Sequence, residues 1–588
     1  MTLFVRSAAV IILVALQAAP TIFADEQNVR FRGEATVNVV EVPVHVIDPA
    51  TGEAVIGLTG DDFEIRENGS PQEVSNFAEL WRSESDAAEE AALRPTAIPP
   101  DDQDIRTRTV ELVYLLDLYL MNKEGRNRAV DGLVSSFRNG VPDGQNVSLV
   151  VYDGTLETLV DRSDDPRELL DALDEVRYMR SRGDQQTIAL TQELAPSEVS
   201  GERDQSFYER RQRSREFIAE LEKRVLRVGN AALATMARYA TADGRRVLVM
   251  FTPGHPRTKW SPSYGAVDYV NAAAEYPVHD LWRDIAHEAA DLGFTVYIVD
   301  SSGVRADFGS DVEVGITDTL DDSFDRGSVF RDQAELAIEP VTAVDPDFAF
   351  DPGGETQDLG NWLEQTRKSM MLLAATDTGG AAIFDTDVGA VLDRVNRALG
   401  HHYSLAYVAD HSGDGKTHTI EVRVPAHPEY RVVARRAYVD QPAAVRSGRR
   451  IRSAMLFGAD ANPLGARVEV GEADSRFRLG AAGSKRVTVP LEIKIPYGRL
   501  DMIERGDRYS STVWITLFAE DAAGNQSALS THEQSITVAA DRYREAVAKG
   551  YFSYRTGVEI EGGSQRVFVG LQEEVSGRTS IVPLEFGN

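Results

Sequence analysis

The chain changes rhythm twice. Between Thr36 and Leu80 apolar residues alternate with polar or small ones, most clearly in TVNVVEVPVHVID, where Val42, Val44 and Val46 fall on one side. Period-two alternation predicts a half-buried strand. Val39 and Val40 stand side by side and predict a bulge or register change. FEIRENGSPQEVSNF predicts a hairpin turning at Asn68-Gly69, because tight hairpin turns need positive φ at both central positions. Residues 83–108 are charged and proline-containing and read as a linker.

From Thr109 the rhythm becomes strand, helix, strand. VELVYLLD, VSLVVYD, RRVLVMF and FTVYIVD are continuous apolar runs, as expected of strands covered on both faces. Helices are predicted around Arg126–Arg138, after Pro166, over about Phe207–Ala240, and in LWRDIAHEAADLG, RKSMMLLAATDTGG and VGAVLDRVNRALG. Leu156–Val160 reads as a short edge strand and AAIFD as a further strand. The alternation predicts an α/β fold, a doubly wound and mostly parallel sheet with helices on both faces.

After His401 the pattern is β again, with HHYSLAYVAD, HTIEVRVP and RVVARRAYVD as three strands. From about Ala454, runs such as RVTVPLEIKI and STVWITLFAED predict a separate β-sandwich. Hairpin signals lie at Ala523-Gly524-Asn525 and Ser576-Gly577, and a short helix is expected near Asp541–Lys549.

Charge narrows the partner. The 588 residues carry a formal charge of −31, which argues against nucleic acid or an anionic membrane surface, since both need basic patches. The N-terminus, MTLFVRSAAVIILVALQAAPTIFADEQ, has one basic residue, an apolar run from Ala8 to Ala19 and a small-residue cleavage point after Ala24. That run is shorter than the roughly 20 residues a spanning helix needs. It reads as a signal peptide, so the mature chain is expected to be exported, periplasmic or extracellular, with no transmembrane segment. No cysteine is present, which removes disulfides, thiol catalysis and thiolate metal sites.

Two connections are long. Residues 252–279 carry Trp260, Tyr264, Tyr269 and Tyr276. Within 301–362, the stretch Val304–Asp358 holds 15 acids against three arginines, −12 of the total −31. Structureless connections beyond about 15 residues are uncommon and usually either functional or disordered. Both follow strands expected to be parallel, so both leave the carboxyl edge of the sheet, where such folds bind ligands. Asp117 ends its strand at the same edge. The four aromatics are therefore the expected binding residues, since Tyr and Trp dominate binding energy at low entropic cost. The neighbouring negative charge would steer a basic protein partner.

Several segments together resemble the VWFA-related domain family of secreted bacterial proteins, a branch of the von Willebrand factor A fold. They are VPVHVIDPATGEAVIGLTGDDFEIRENGSPQEVSNF, GRRVLVMFTPG, LGFTVYIVDSSG, LAATDTGGAAIFDTD and HHYSLAYV…GDGKTHTIEVRVP…YRVVARRAYV. The likeness covers about Val37 to Asp440. It implies a Rossmann-like A domain inserted into a small β module built from both flanks, and a role in adhesion or assembly rather than turnover.

The divisions expected are a leader at 1–24, an N-terminal β segment at 30–82, a linker at 83–108, the A-like domain at 109–402, completing strands at 403–442, and an immunoglobulin-like sandwich at 450–588. Metal-binding members of that fold hold a divalent ion with Asp-x-Ser-x-Ser, a threonine and a second aspartate, because hard cations want oxygen ligands. Here only Asp117 remains of the first loop. Tyr119 and Met121 stand where hydroxyls would, Pro253 stands where the second acid would, and Asp117 with help from Thr252 cannot hold a magnesium ion tightly. The site is degenerate, and no metal or other cofactor is expected there.

Other motifs point nowhere firmer. His287-Glu288 lacks the second histidine of a zinc-protease helix, and no nucleophile elbow or phosphate loop appears. His401-His402 reads as a packed or surface pair. Asp410, Ser412 and Asp414 have the spacing that opens a calcium loop but lack its terminal glutamate, so a turn is expected. Arg182-Gly183-Asp184 and Arg505-Gly506-Asp507 are short enough to be chance. The expectation is a non-catalytic protein-interaction or scaffold module. A calcium-dependent adhesion protein and an uncharacterised hydrolase are the alternatives.

Overall fold

The computed structural model describes residues 38–83, 106–185, 207–240, 244–254, 278–300, 368–384 and 387–586, the last two stretches with short breaks. The expected leader, most of the linker, the bulk of both long connections and the Ala523–Asn525 turn lie outside them. Two compact units are present, one spanning Val37–Asp440 and one holding Gln441–Asn588.

In chain order the first unit opens with β1 (Asn38–Asp48), β2 (Glu53–Ala54), β3 (Glu64–Glu67), β4 (Ser70–Gln72), β5 (Asn76–Trp81) and β6 (Arg106–Thr107). It continues through β7 (Val110–Asp117), α1 (Lys123–Phe137), β8 (Gln145–Tyr152), β9 (Leu156–Ser163), α2 (Pro166–Tyr178), α3 (Phe207–Tyr239), β10 (Arg245–Phe251), α4 (Val278–Asp291) and β11 (Phe294–Val299). It ends with β12 (Ala382–Ile383), α5 (Val388–Ala398), β13 (His401–Ala409), β14 (Thr417–Arg423), β15 (Arg431–Ala434) and β16 (Ala437–Val439).

One sheet has the order β12-β11-β10-β7-β8-β9. Its pairs are parallel except β8 with β9, which are antiparallel. Every residue of β7 is buried, which is why VELVYLLD shows no alternation. Leu112, Tyr114 and Leu116 join a core with α1, α2 and α5. Val113 and Leu115 are buried on the other face, and α3 packs along β7, β8 and β10.

The flanks build a second body of β structure. Val42, Val44 and Val46 are all buried, and β1 pairs antiparallel with β13 on one side and β15 on the other. A second sheet, β16-β14-β3-β4, faces it, and Ile65, Ile420 and Tyr438 share its core with Val42, Tyr403 and Tyr407. The β3–β4 hairpin turns at Asn68 (φ 50°) and Gly69 (φ 80°), both left-handed as that turn requires.

Four expectations about this first unit need correction. The register from Asn38↔Ala409 to Val44↔Tyr403 is unbroken, so Val39-Val40 is no bulge; Val39 is 56% exposed and faces Val408, 49% exposed. The linker's end, β6, pairs parallel with β5, and Arg108 forms an ion pair with Glu41. RVVARRAYVD is two strands, not one, because Arg435-Arg436 interrupts it and β15 and β16 enter different sheets. The A-like domain cannot end at 402, since His401 and His402 already belong to β13.

The C-terminal unit begins earlier than residue 450, with a helix that alternation did not reveal: α6 (Ala443–Leu456). It then runs β17 (Arg467–Val470), β18 (Asp474–Leu479), β19 (Lys485–Pro496), β20 (Ile503–Arg505), β21 (Arg508–Asp521), β22 (Ser530–Ala539), α7 (Tyr543–Lys549), β23 (Tyr551–Glu561), β24 (Gln565–Glu573) and β25 (Thr579–Phe586). The strands form two antiparallel sheets, with Leu491 and Ile493 of β19 in one core with Ile515 of β21 and Val569 of β24.

Candidate functional site at the carboxyl edge of the parallel sheet

Strands β7 and β10 lie side by side, so their ends bring Asp117 next to Thr252. Asp117 is 1% exposed. Its Oδ1 accepts hydrogen bonds from the backbone N–H of Tyr119 (3.1 Å) and Leu120 (3.0 Å). Its Oδ2 accepts from the Thr252 hydroxyl at 2.7 Å, and Thr252 Oγ1 accepts in turn from Gly254 N–H at 3.0 Å. Both carboxyl oxygens are thus used inside the protein. Burial pushes the Asp117 carboxyl up to about 7, against the pull of the bonds from Leu120, Thr252 and Tyr119.

The turn after Asp117 is sequestered. Leu118, Tyr119, Leu120 and Met121 are all buried, and Asn122 caps α1 by accepting from Gly125 N–H at 2.8 Å. Arg182 N–H donates to Leu118 O (2.7 Å) and Gly183 N–H to Met121 O (3.1 Å), so the segment after α2 lies along this turn. A side chain at Gly183 would press 2.6 Å from the Met121 carbonyl, so only glycine allows that approach. Arg182 also pairs with Asp153 at 2.8 Å, and Arg227 Nη1 of α3 donates to Tyr119 Oη at 3.2 Å. A cation site needs oxygen ligands and an open position. Here Tyr119 and Met121 fill the turn with buried aromatic and thioether groups, and Pro253 is buried beside Thr252.

Of the expected residues, the structure gathers Asp117, Tyr119, Met121, Thr252 and Pro253 at one edge. Trp260, Tyr264, Tyr269 and Tyr276 lie outside the described residues, as does the acidic stretch. Sequence reasoning missed the Arg182-Gly183 strap and Arg227. Nothing local marks them, because they meet Asp117's turn only through the fold. The helix expected around Arg126–Arg138 begins earlier, at Lys123, and its Asn122 cap was not among the expectations.

Elsewhere, Glu288 of α4 is buried. His401 Nε2 lies 3.0 Å from Glu79 Oε1 and its ring packs on Trp81, so the His401-His402 pair is interior. Among the described residues no helix is long and apolar enough to cross a membrane.

No family model matches the chain, and no curated protein matches it. Among solved structures it is similar to an aerotolerance-related membrane protein from Bacteroides fragilis NCTC 9343, at 12% identity and TM-score 0.19, over 49% of this chain and 98% of that one. It is similar to the conserved hypothetical protein BatB from Bacteroides thetaiotaomicron, at 14% identity and TM-score 0.13, over 32% of this chain and 66% of that one. It is also similar to the manganese-loaded TRAP protein of Plasmodium vivax, at 10% identity and TM-score 0.20, over 56% of this chain and 93% of that one. Likenesses this slight carry nothing about activity or partners.

Proposed function

We propose that the chain is an exported, non-catalytic interaction module of von Willebrand A type, which docks a protein partner through the two long connections at the carboxyl edge of its sheet. One observation carries the reading. β10 and β11 are adjacent parallel strands, so residues 252–279 and 301–362 both leave the edge at which Asp117 sits. The acid at that edge is occupied by Thr252 and by its own turn, which leaves recognition to the connections themselves. Trp260, Tyr264, Tyr269 and Tyr276 supply contact area, and the acidic stretch favours a basic partner.

The test is capture of the partner from the organism's own cell envelope with a tagged mature chain, followed by binding kinetics. Deleting Asp307–Asp351 should slow association, and Trp260→Ala should speed dissociation. Wild-type kinetics in both variants would move the search to the C-terminal sandwich.

A further inference from the structure

Within the β module a cluster of histidines and carboxylates gathers from both flanks of the parallel sheet. Glu67 ends β3 and is 3% exposed. His411 follows β13, His418 lies in β14, Asp414 sits between them, and Asp440 follows β16. The His411 and His418 rings stack with centroids 3.6 Å apart and planes within 9°. His411 Nε2 lies 3.2 Å, and His418 Nδ1 3.9 Å, from the same oxygen, Glu67 Oε1.

Behind each ring stands another carboxylate. Asp440 Oδ2 is 2.8 Å from His411 Nδ1, and Asp414 Oδ1 is 3.1 Å from His418 Nε2. Carboxylates accept hydrogen bonds, so those two nitrogens carry the ring hydrogens. With neither ring doubly protonated, the lone pairs of His411 Nε2 and His418 Nδ1 are left on the Glu67 side. Asn68 supports this tautomer: its Oδ1 accepts from Thr419 N–H at 3.0 Å, so its amide N–H faces His418 Nδ1, also at 3.0 Å. Three electron-rich atoms therefore converge, met by neutral donors at the Asn68 amide and, 3.4 Å from His411 Nε2, the Tyr438 hydroxyl, and a positive charge among them would hold them more strongly. Glu67 Oε1 accepts from the hydroxyls of Tyr407 and Tyr438, each at 2.8 Å, but these are neutral. Among the described residues the two histidines are the only bases within ion-pair distance of Glu67.

We propose that Glu67, His411 and His418 bind one divalent transition-metal ion of the zinc class, which fastens the two halves of the split β module together. Imidazole nitrogens select such ions over magnesium or calcium. Zinc bonds to nitrogen and carboxylate oxygen run at roughly 2.0–2.2 Å, so donors 3.2 and 3.9 Å apart can share one ion. The outer carboxylates Asp440 and Asp414 orient the rings as partners of ligating histidines do. The ion takes the place of the Asn68 amide at His418 Nδ1 and spreads the stacked rings. Glu67 and His411 are 344 residues apart in a chain without cysteine. A metal bridge there closes a very long loop, as a disulfide would in another exported protein.

The test uses the full mature chain, stripped with chelator, desalted and titrated with zinc chloride in a calorimeter. One zinc per chain should bind, and His411→Ala and His418→Ala should each abolish that heat. Asp440→Asn keeps all three ligands and should weaken binding about 10–100-fold. Cobalt(II) should give a visible absorption band that the histidine variants lose. Circular dichroism checks each fold, and Glu67→Gln replaces any histidine variant that fails to fold. No heat up to about 100 times the protein concentration would overturn the proposal and leave a proton as the buried cation. Heat that survives in both histidine variants would also overturn it, placing zinc on the acidic surface.

Discussion

The hydroxyl of Thr252 donates to the carboxyl of Asp117 across 2.7 Å, tying the ends of two neighbouring parallel strands. Burial raises that carboxyl to about 7 from its ordinary 3.8. In the folded chain it therefore holds its proton over a window in which the unfolded chain has lost it. The associated stability is fully present below about pH 4 and is lost as pH rises through about 7. Asp117→Asn removes this titration while keeping an oxygen for Tyr119 and Leu120. Measured by urea denaturation, the variant should gain on wild type between pH 4 and pH 8, by up to about 4 kcal/mol. A gap that does not change with pH would contradict the account.

The same geometry sets a metal expectation. With both Asp117 oxygens hydrogen-bonded and the turn buried, magnesium should find no ligands there. Calorimetric titration at about millimolar magnesium should show no heat that Asp117→Ala abolishes.

His45 and His402 push pH dependence the other way. Burial, with the charge of nearby His401 and Arg245, depresses the His45 imidazole to about 3, and burial with Arg245 holds His402 well below its usual range. For a depressed histidine, stability is present above about pH 6.5 and is lost as pH falls below it, because the unfolded chain takes the proton first. Hydrogen exchange at β1 and β13 amides should therefore quicken from pH 6.5 to pH 5 after correction for intrinsic rates. His45→Gln should flatten that change by about 2 kcal/mol in local opening free energy. An unchanged slope would show that the half-buried His45 is not held neutral in the folded chain.

Much of this was legible. Alternation gave Val42, Val44 and Val46 as one face, and Asn68-Gly69 gave its hairpin, because both signals are local. The continuous apolar run of β7 likewise announced a strand covered on both faces. What stayed hidden depends on distance along the chain. Glu67, His411 and His418 meet only through the fold, the first two across a separation of 344 residues. The helix Ala443–Leu456 was obscured by its arginines and by Gly448, which weaken the apolar periodicity that betrays other helices. Val39-Val40 misled because the outward-facing partner is itself a valine, Val408.

One glycine tests the packing of the helical layer. Gly132 lies in α1, where alanine would ordinarily gain about 1 kcal/mol of helix propensity. Any Cβ there would collide with the Val388 side chain at the start of α5. Gly132→Ala should therefore destabilise, by about 1–3 kcal/mol in thermal or urea unfolding. A more stable variant would mean the two helices are not this close.

The split module makes truncation costly. β1 lies between β13 and β15, so a chain beginning at Arg108 leaves Tyr403, Leu405 and Tyr407 without their cover. Such a chain should show early proteolytic cleavage within residues 401–440, and resistance equal to the full chain's would refute the pairing.

The claim that the carboxyl edge is the docking surface is tested most directly by surface-binding kinetics with the partner captured from the cell envelope, at low salt. Deletion of Asp307–Asp351 should lower the association rate, and Trp260→Ala should raise the dissociation rate, while Asp117→Asn leaves both unchanged. Association and dissociation equal to wild type in the first two variants would contradict the account.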